Sequence, residues 1–380
     1  MLCRRCAHPA MSRVHLTSRR RFIGQLSTAA TAVALAPALR ASKSLSRASG
    51  ERPLGVALLG LGSYSTYQLG PALRETKWCR LTAVITGTPA KGRRWLKEHD
   101  LPPGSAYNYD TMERIADNPE IDIVYVVTPP GTHRDFVLRA ARAHKHVICE
   151  KPMAPSVQEC DEMIAACRAA GRKLGIGYRL EYDPFHVEME RFVRDPKFGR
   201  LQRMSGAHAF RIGGRSWRVD KSLAGGGPLP DVGIYVIQAA CRAAGDIAPI
   251  AVTAQEGKKE RPELFSDVEE SMRWTMEFPG GVVCEGFTSY NANGNRFRAE
   301  SAKEWVELSP AFSYSGLRGR SSRGEIEFAP FNQQAAQMDD FARCILENRE
   351  TPVPGEMGRR DIAIMEAIYR AAATGERVTL

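Results

Sequence analysis

The 380-residue chain has little cysteine and little histidine, nine and eight residues respectively. Cys3 and Cys6 stand at the N-terminus. The remaining seven (Cys79, Cys149, Cys160, Cys167, Cys241, Cys284 and Cys344) are scattered and odd in number, which argues against a disulfide-built scaffold. His99, His133, His144, His146, His186 and His208 show no His-Glu-x-x-His or comparable spacing, so no metal site is expected. No Gly-x-Ser-x-Gly nucleophile elbow occurs. Beyond the N-terminal region no apolar run reaches the roughly 20 residues that a membrane span needs, so none is expected. Residues 1–41 contain no acid at all.

Those first residues read as a processing segment. Ser18-Arg19-Arg20-Arg21-Phe22-Ile23 precedes a mildly apolar stretch with small residues at Ala36, Ala38 and Ala41. This has the form of a twin-arginine export signal over 1–41, followed by a polar arm over 42–53. Export to the periplasm through the twin-arginine machinery is the expectation. The seven arginines of residues 1–41 leave with it, which lowers the basic count from 53 to 46 against 43 acids, about +3 instead of +10. A nucleic-acid partner, which needs a clustered basic face on the mature protein, is therefore not expected. Cys3-Arg4-Arg5-Cys6 lies ahead of the signal and receives no redox or metal role.

The next region alternates strands and helices. Leu54 to Leu59 is a buried strand, and Gly60-Leu61-Gly62-Ser63-Tyr64-Ser65 follows at once. Such a turn lets backbone N–H groups approach a pyrophosphate at a helix N-terminus, here a helix over 67–74 interrupted by Pro71. The second strand, 81–85, ends at Thr86-Gly87-Thr88, with Lys91, Arg93 and Arg94 close behind and no carboxylate. A ribose 2′-hydroxyl calls for an acid at this point, so hydroxyl plus cations suits a 2′-phosphate and predicts NADP. A solvated basic helix start would fit Arg93 and Arg94 equally well. Further strands over 122–127, 147–149 and 173–177, with helices over 134–143 and 157–170, predict a doubly wound parallel sheet across 54–177. Glu150-Lys151-Pro152 falls at the carboxyl end of one of these strands, where ligands bind in open α/β sheets.

From 178 to 380 the pattern changes. A helix over 184–194 leads into strands over 201–210, 251–256, 271–278, 282–290, 297–300 and 305–308. Helices over 332–348 and 361–374 close the chain. Met272-Arg273-Trp274-Thr275-Met276 alternates as a half-buried strand does. An α+β domain with an open, mostly antiparallel sheet is expected. It carries Gly225-Gly226-Gly227-Pro228-Leu229-Pro230-Asp231-Val232-Gly233-Ile234-Tyr235. Asp231 is positioned to cap a helix beginning near Gly233, and Tyr235 lies four residues on, on the same face.

The order Gly-x-Gly, Thr128-Pro129-x-x-x-His133, Glu150-Lys151-Pro152, Gly177-Tyr178-Arg179 and Gly-Gly-Gly-x-x-x-Asp-x-Gly-x-Tyr resembles the Gfo/Idh/MocA oxidoreductases, from Gly55 to the end of the chain. Tyr235, where many members carry histidine, is similar to the glucose–fructose and aldose–aldose subgroup. The resemblance implies an oxidoreductase acting on small sugars with tightly bound NADP. One sugar would be oxidised at C1 to its lactone and a second reduced to an alditol, in a ping-pong cycle. It implies that Lys151 and Asp231 orient the sugar while Tyr235 takes the C1 hydroxyl proton. Tyrosine is a weak base at neutral pH, and a neighbouring ammonium favours its phenolate. Tyr178, Arg179, Trp217 and Arg218 would form the substrate pocket. Gly60, Gly62, Ser63, Tyr64, Thr86, Lys91, Thr128, His133 and Glu150, with Lys151 and Arg179, would contact NADP. A homodimer or homotetramer is implied as well. Two other readings stay open: an ordinary NADP-dependent sugar or diol dehydrogenase that exchanges its cofactor, and a binding protein that kept the fold without catalysis.

Overall fold

The computed structural model describes residues 52–380. The export signal expected over 1–41, and all but the end of the arm over 42–53, lie outside the described residues.

Six short apolar strands build the first sheet: β1 (Leu54–Leu59), β2 (Cys79–Ile85), β3 (Ala106–Tyr107), β4 (Ile123–Val126), β5 (His146–Cys149) and β6 (Leu174–Ile176). Every residue of β1 and β4 is buried, as central strands covered on both faces must be. All neighbouring strands run parallel in the order β3-β2-β1-β4-β5-β6. The direction of winding reverses between β1 and β4, and a crevice opens outside their carboxyl ends.

The second sheet has nine strands: β7 (Leu201–Ala209), β8 (Ala251–Glu256), β9 (Ser271–Phe278), β10 (Val282–Ser289), β11 (Gly294–Ser301), β12 (Trp305–Leu308), β13 (Gly319–Ser321), β14 (Gly324–Ile326) and β15 (Val378–Thr379). Their order is β14-β13-β12-β11-β7-β10-β9-β8-β15, antiparallel throughout except for the β7–β10 pair. In β9, Met272, Trp274, Met276 and Phe278 point inward and Arg273 is exposed, so the alternation read from the sequence is the alternation observed. This is the α/β plus α+β architecture expected. The short strands β3, β13, β14 and β15 carry too few residues to show a period.

Two helices depart from expectation. The helix Gln333–Leu346, expected with the second sheet, packs instead on the first. Ala335, Met338, Phe341 and Ala342 join the apolar cluster of Val56, Leu58, Val84 and Tyr125, and Asp339 Oδ1 accepts from the Lys77 and Trp78 amides at 2.9 and 2.8 Å. The expected helix over 67–74 begins earlier and is wound as a π-helix over Ser65–Leu69 before continuing as Gly70–Leu73, where Pro71 sits in the first turn and needs no N–H partner. A single larger core links the two sheets, with Val126, Met153 and Ile176 in the same cluster as Ile237, Met272 and Ile368.

All seven cysteines of the described residues are buried and unpaired. Among the described residues no group of three or more His, Cys, Asp or Glu could hold a metal ion, and no helix is long and apolar enough to cross a membrane.

Candidate active site

The glycine turn after β1 is built by its own geometry. Gly60 has φ +97°, and a side chain there would stand 2.7 Å from the Val127 carbonyl oxygen. Ser65, in the place of a third glycine, is buried and donates its hydroxyl to the Gly60 carbonyl at 2.5 Å, which locks the turn to the helix it opens. Gly62 differs. Its φ is not positive, and a methyl group there would meet no protein atom within 4 Å. Nothing in the chain demands glycine at this position, whereas close approach of a ligand's phosphate would.

The turn forms one wall of a cleft of about 410 Å³. Gly60, Gly62, Ser63 and Tyr64, with Thr86 and Lys91 beyond β2 and Thr128 beyond β4, all line it, as does the Trp217–Arg218 pair from the second half. No carboxylate lines it, and Lys91 and Arg218 bring cations to it. Backbone amides, hydroxyls and cations without an acid suit a polyanionic dinucleotide, so the residues present fit an NAD(P) cofactor. Gly62→Val is expected to leave the melting temperature of the nucleotide-free protein unchanged. Binding should weaken by at least about tenfold, the cost of roughly one displaced phosphate hydrogen bond. Titration of NADP alongside thermal melting checks both.

Beside this cleft Lys151, Asp231, Tyr235 and Arg218 come together. The helix that carries Asp231 starts earlier than expected, winding as a π-helix over Leu229–Gly233 before continuing as Ile234–Ala243. Asp231 is therefore not an N-cap. Its Oδ2 accepts from Arg218 Nε at 2.9 Å and from the Tyr290 hydroxyl at 2.8 Å, and Lys151 Nζ stands 3.8 Å from Oδ1. Burial works against this carboxylate, but Arg218, Lys151 and Tyr290 together outweigh it and hold its pKa below the ordinary aspartate value. Lys151 Nζ donates to the Asp231 carbonyl oxygen at 2.5 Å and lies 4.5 Å from the Tyr235 ring centroid. The ring of Tyr235 stacks on Phe312 at 5.8 Å and meets His208 at 5.3 Å. Burial, with Lys151 next, lowers the His208 pKa to about 3, so this imidazole is neutral.

The triple glycine serves the chain itself. Side chains at Gly226 and Gly227 would strike the Tyr369 hydroxyl and the Glu269 carbonyl at 1.9 and 2.1 Å. The buried Glu269 carboxylate accepts from the Gly227 and Leu229 amides at 2.8 and 3.0 Å and so seats the segment that delivers Asp231.

Four expected contacts are not where the resemblance put them. The Tyr178 hydroxyl donates to Asp361 at 2.7 Å inside the core, so it takes no part in a substrate pocket. His133 is fully buried with Nε2 2.7 Å from the Thr128 carbonyl and Nδ1 3.1 Å from that of Pro152, which makes it a clamp on both loops and no cofactor contact. Glu150 faces inward, its Oε1 accepting from Tyr125 at 2.7 Å and its Oε2 from the Lys151 amide at 3.3 Å, and Gly177 leaves room for it. Arg179 is buried with its Nη donors engaged by protein groups, so it reaches neither cofactor nor sugar from this position. Conversely, Tyr290, His208 and Phe312 complete the site without having been singled out. Tyr290 lies 59 residues from Asp231 and nothing in its local sequence marks it.

Residues 54–178 match the model of the "Oxidoreductase family, NAD-binding Rossmann fold", and residues 186–307 match that of the GFO/IDH/MocA C-terminal domain. The crystal structure of an aldose-aldose oxidoreductase from Caulobacter crescentus, complexed with glycerol, is 43% identical with a TM-score of 0.84, covering 87% of this chain and 100% of that one. A D-xylose 1-dehydrogenase [NADP(+)] from Haloarcula marismortui is 27% identical, over 87% of this chain and 94% of its own length. A levoglucosan dehydrogenase complex with NADH and levoglucosan, at 20% identity and a TM-score of 0.74, shares the fold. With both halves of its architecture matched, and a solved relative aligned along its whole length, the chain belongs to the Gfo/Idh/MocA family of oxidoreductases.

Proposed function

We propose that the protein is an exported sugar oxidoreductase that keeps NADP bound. It oxidises an aldose at C1 to the lactone and reduces a second sugar to an alditol with the same cofactor. The observation that carries this reading is the convergence of Lys151, Asp231 and Tyr235 beside a carboxylate-free dinucleotide cleft, with Arg218 belonging to both. A nicotinamide held in the cleft would supply the hydride acceptor for the first sugar and the hydride donor for the second. Tyr235 takes the hydroxyl proton as the C–O bond becomes C=O, and gives it back when the second carbonyl is reduced. The Lys151 ammonium stands 4.5 Å from the centre of that ring. Asp231, held at Oδ2 by two donors, presents Oδ1 with only a loose contact to Lys151, and a sugar hydroxyl can donate there. Thr86 and Lys91 beyond β2 support NADP over NAD. The 43% identity to an aldose-aldose oxidoreductase supports the choice of substrates.

Export is supported by Ser18-Arg19-Arg20-Arg21-Phe22-Ile23. It gives retention a physical reason: twin-arginine export carries folded, loaded proteins, and free NADP is scarce beyond the cytoplasm. The test uses mature protein, dialysed exhaustively, with no added nucleotide. Lactone and alditol should form in equal amounts, and only when both sugars are present. Turnover that requires added NADP and accumulates NADPH would replace this reading with an exchangeable-cofactor dehydrogenase.

A further inference from the structure

Arg179 is a buried charge that the reaction above leaves without a task. It is 2% exposed, and among the described residues none of its nitrogens lies within 4 Å of an Asp or Glu oxygen. An isolated buried cation is costly unless something of opposite charge compensates it. Its hydrogen-bond partners are uncharged groups. Nη1 donates to the Ser313 carbonyl at 3.0 Å and to Gln333 Oε1, while Nη2 donates to the Phe312 carbonyl at 2.6 Å and to the Tyr235 hydroxyl oxygen at 3.4 Å. The guanidinium carbon sits 5.2 Å from the Tyr235 ring centroid and 4.5 Å from that of Tyr314, and Nε has no partner. Burial disfavours the charge on Arg179, yet its surroundings, Tyr235 foremost, raise its pKa and keep it protonated.

We propose that Arg179 is an electrostatic positioning residue for the base: its guanidinium, with Nη2 3.4 Å from the Tyr235 hydroxyl oxygen, supplies the charge that a deprotonated Tyr235 oxygen needs. The inference rests on the reading of Tyr235 as the proton acceptor. Around Tyr235 the ionisable groups are then Lys151 and Arg179 as cations, Asp231 as the anion already matched by Arg218 and Lys151, His208 as a neutral imidazole, and Tyr64, Tyr314 and Glu150 more remotely. Arg179 is the cation among them that pairs with no carboxylate. Neutralising the Tyr235 oxygen on proton uptake, and restoring its charge on proton return, changes the net charge beside Arg179 in each half-cycle.

The test compares NADP-loaded wild type, Arg179→Gln, Arg179→Lys and Tyr235→Phe. In Arg179→Gln the acid limb of sugar oxidation and the alkaline limb of sugar reduction should both move up by about 1–2 pH units, since both report the same proton. A near-ultraviolet phenolate titration, with Tyr235→Phe subtracted, should move by the same amount without any turnover. Arg179→Lys keeps the charge but not the fork, and its limbs should stay within about half a unit of wild type. Unmoved limbs in Arg179→Gln, displaced limbs in a folded Arg179→Lys, or failure of both variants to fold would assign Arg179 to the fold alone and overturn the proposal. Full activity in Tyr235→Phe would instead overturn the reading of the base itself, which keeps the two failures distinct.

Discussion

Tyr235→Phe is expected to lose turnover by about 10²–10⁴-fold, the contribution typical of a positioned acid–base group, while the protein folds and binds NADP as before. The asymmetry follows from what the side chain does. Its ring is buried against Phe312 and His208, and phenylalanine keeps those contacts. Its hydroxyl oxygen accepts a single long hydrogen bond, from Arg179 at 3.4 Å, so removing it leaves Arg179 three of its acceptors. The stability change should stay within about 1 kcal/mol. Steady-state rates, thermal melting and the bound-nucleotide absorbance are to be measured on one preparation. A variant that turns over within a few-fold of wild type would remove Tyr235 from the chemistry.

Asp231→Ala should damage both activity and fold. It deletes the acceptor of Arg218 Nε and of the buried Tyr290 hydroxyl, and it leaves Lys151 with the backbone carbonyl alone. Breaking a fully buried ion pair costs about 3–5 kcal/mol. Arg218 is 38% exposed along its side chain and can turn to solvent, so the expected loss here is smaller, about 1–3 kcal/mol. Asp231→Asn, which keeps the shape and an acceptor oxygen, should recover most of the stability and little of the rate. Denaturant unfolding set against kcat/KM for the pair separates the structural from the chemical contribution. An Asp231→Ala protein as stable as wild type would mean that Lys151 and Tyr290 find other partners.

These two residues also show how far a local signal reaches. Taken locally, Asp231 reads as a helix cap, which the π-helix over Leu229–Gly233 does not bear out, and only the order of motifs along the chain singles out Lys151, Asp231 and Tyr235 together. The doubly wound sheet was legible, because fully buried parallel strands read as unbroken apolar runs and half-buried antiparallel ones alternate. Period fails where the element is short: β13 and β14 have three residues each, and β15 two.

Other features were decided only by packing across long separations. The helix Gln333–Leu346 is amphipathic, and its sequence does not say which sheet its apolar stripe will cover. Tyr290 reaches Asp231, and Gln337 reaches Tyr125 and through it Glu150, over 59 and 212 residues. The roles of His133 and Glu150 turned on side-chain direction, since each belongs to a motif with a member at the site while its own polar atoms point inward, and the Tyr178 hydroxyl likewise turns into the core. Which residue types could do the chemistry was determined by the sequence itself. Which of them face the cleft, and which are spent holding the others in place, was decided by the tertiary structure, because a buried polar atom takes whatever partner the fold brings within reach.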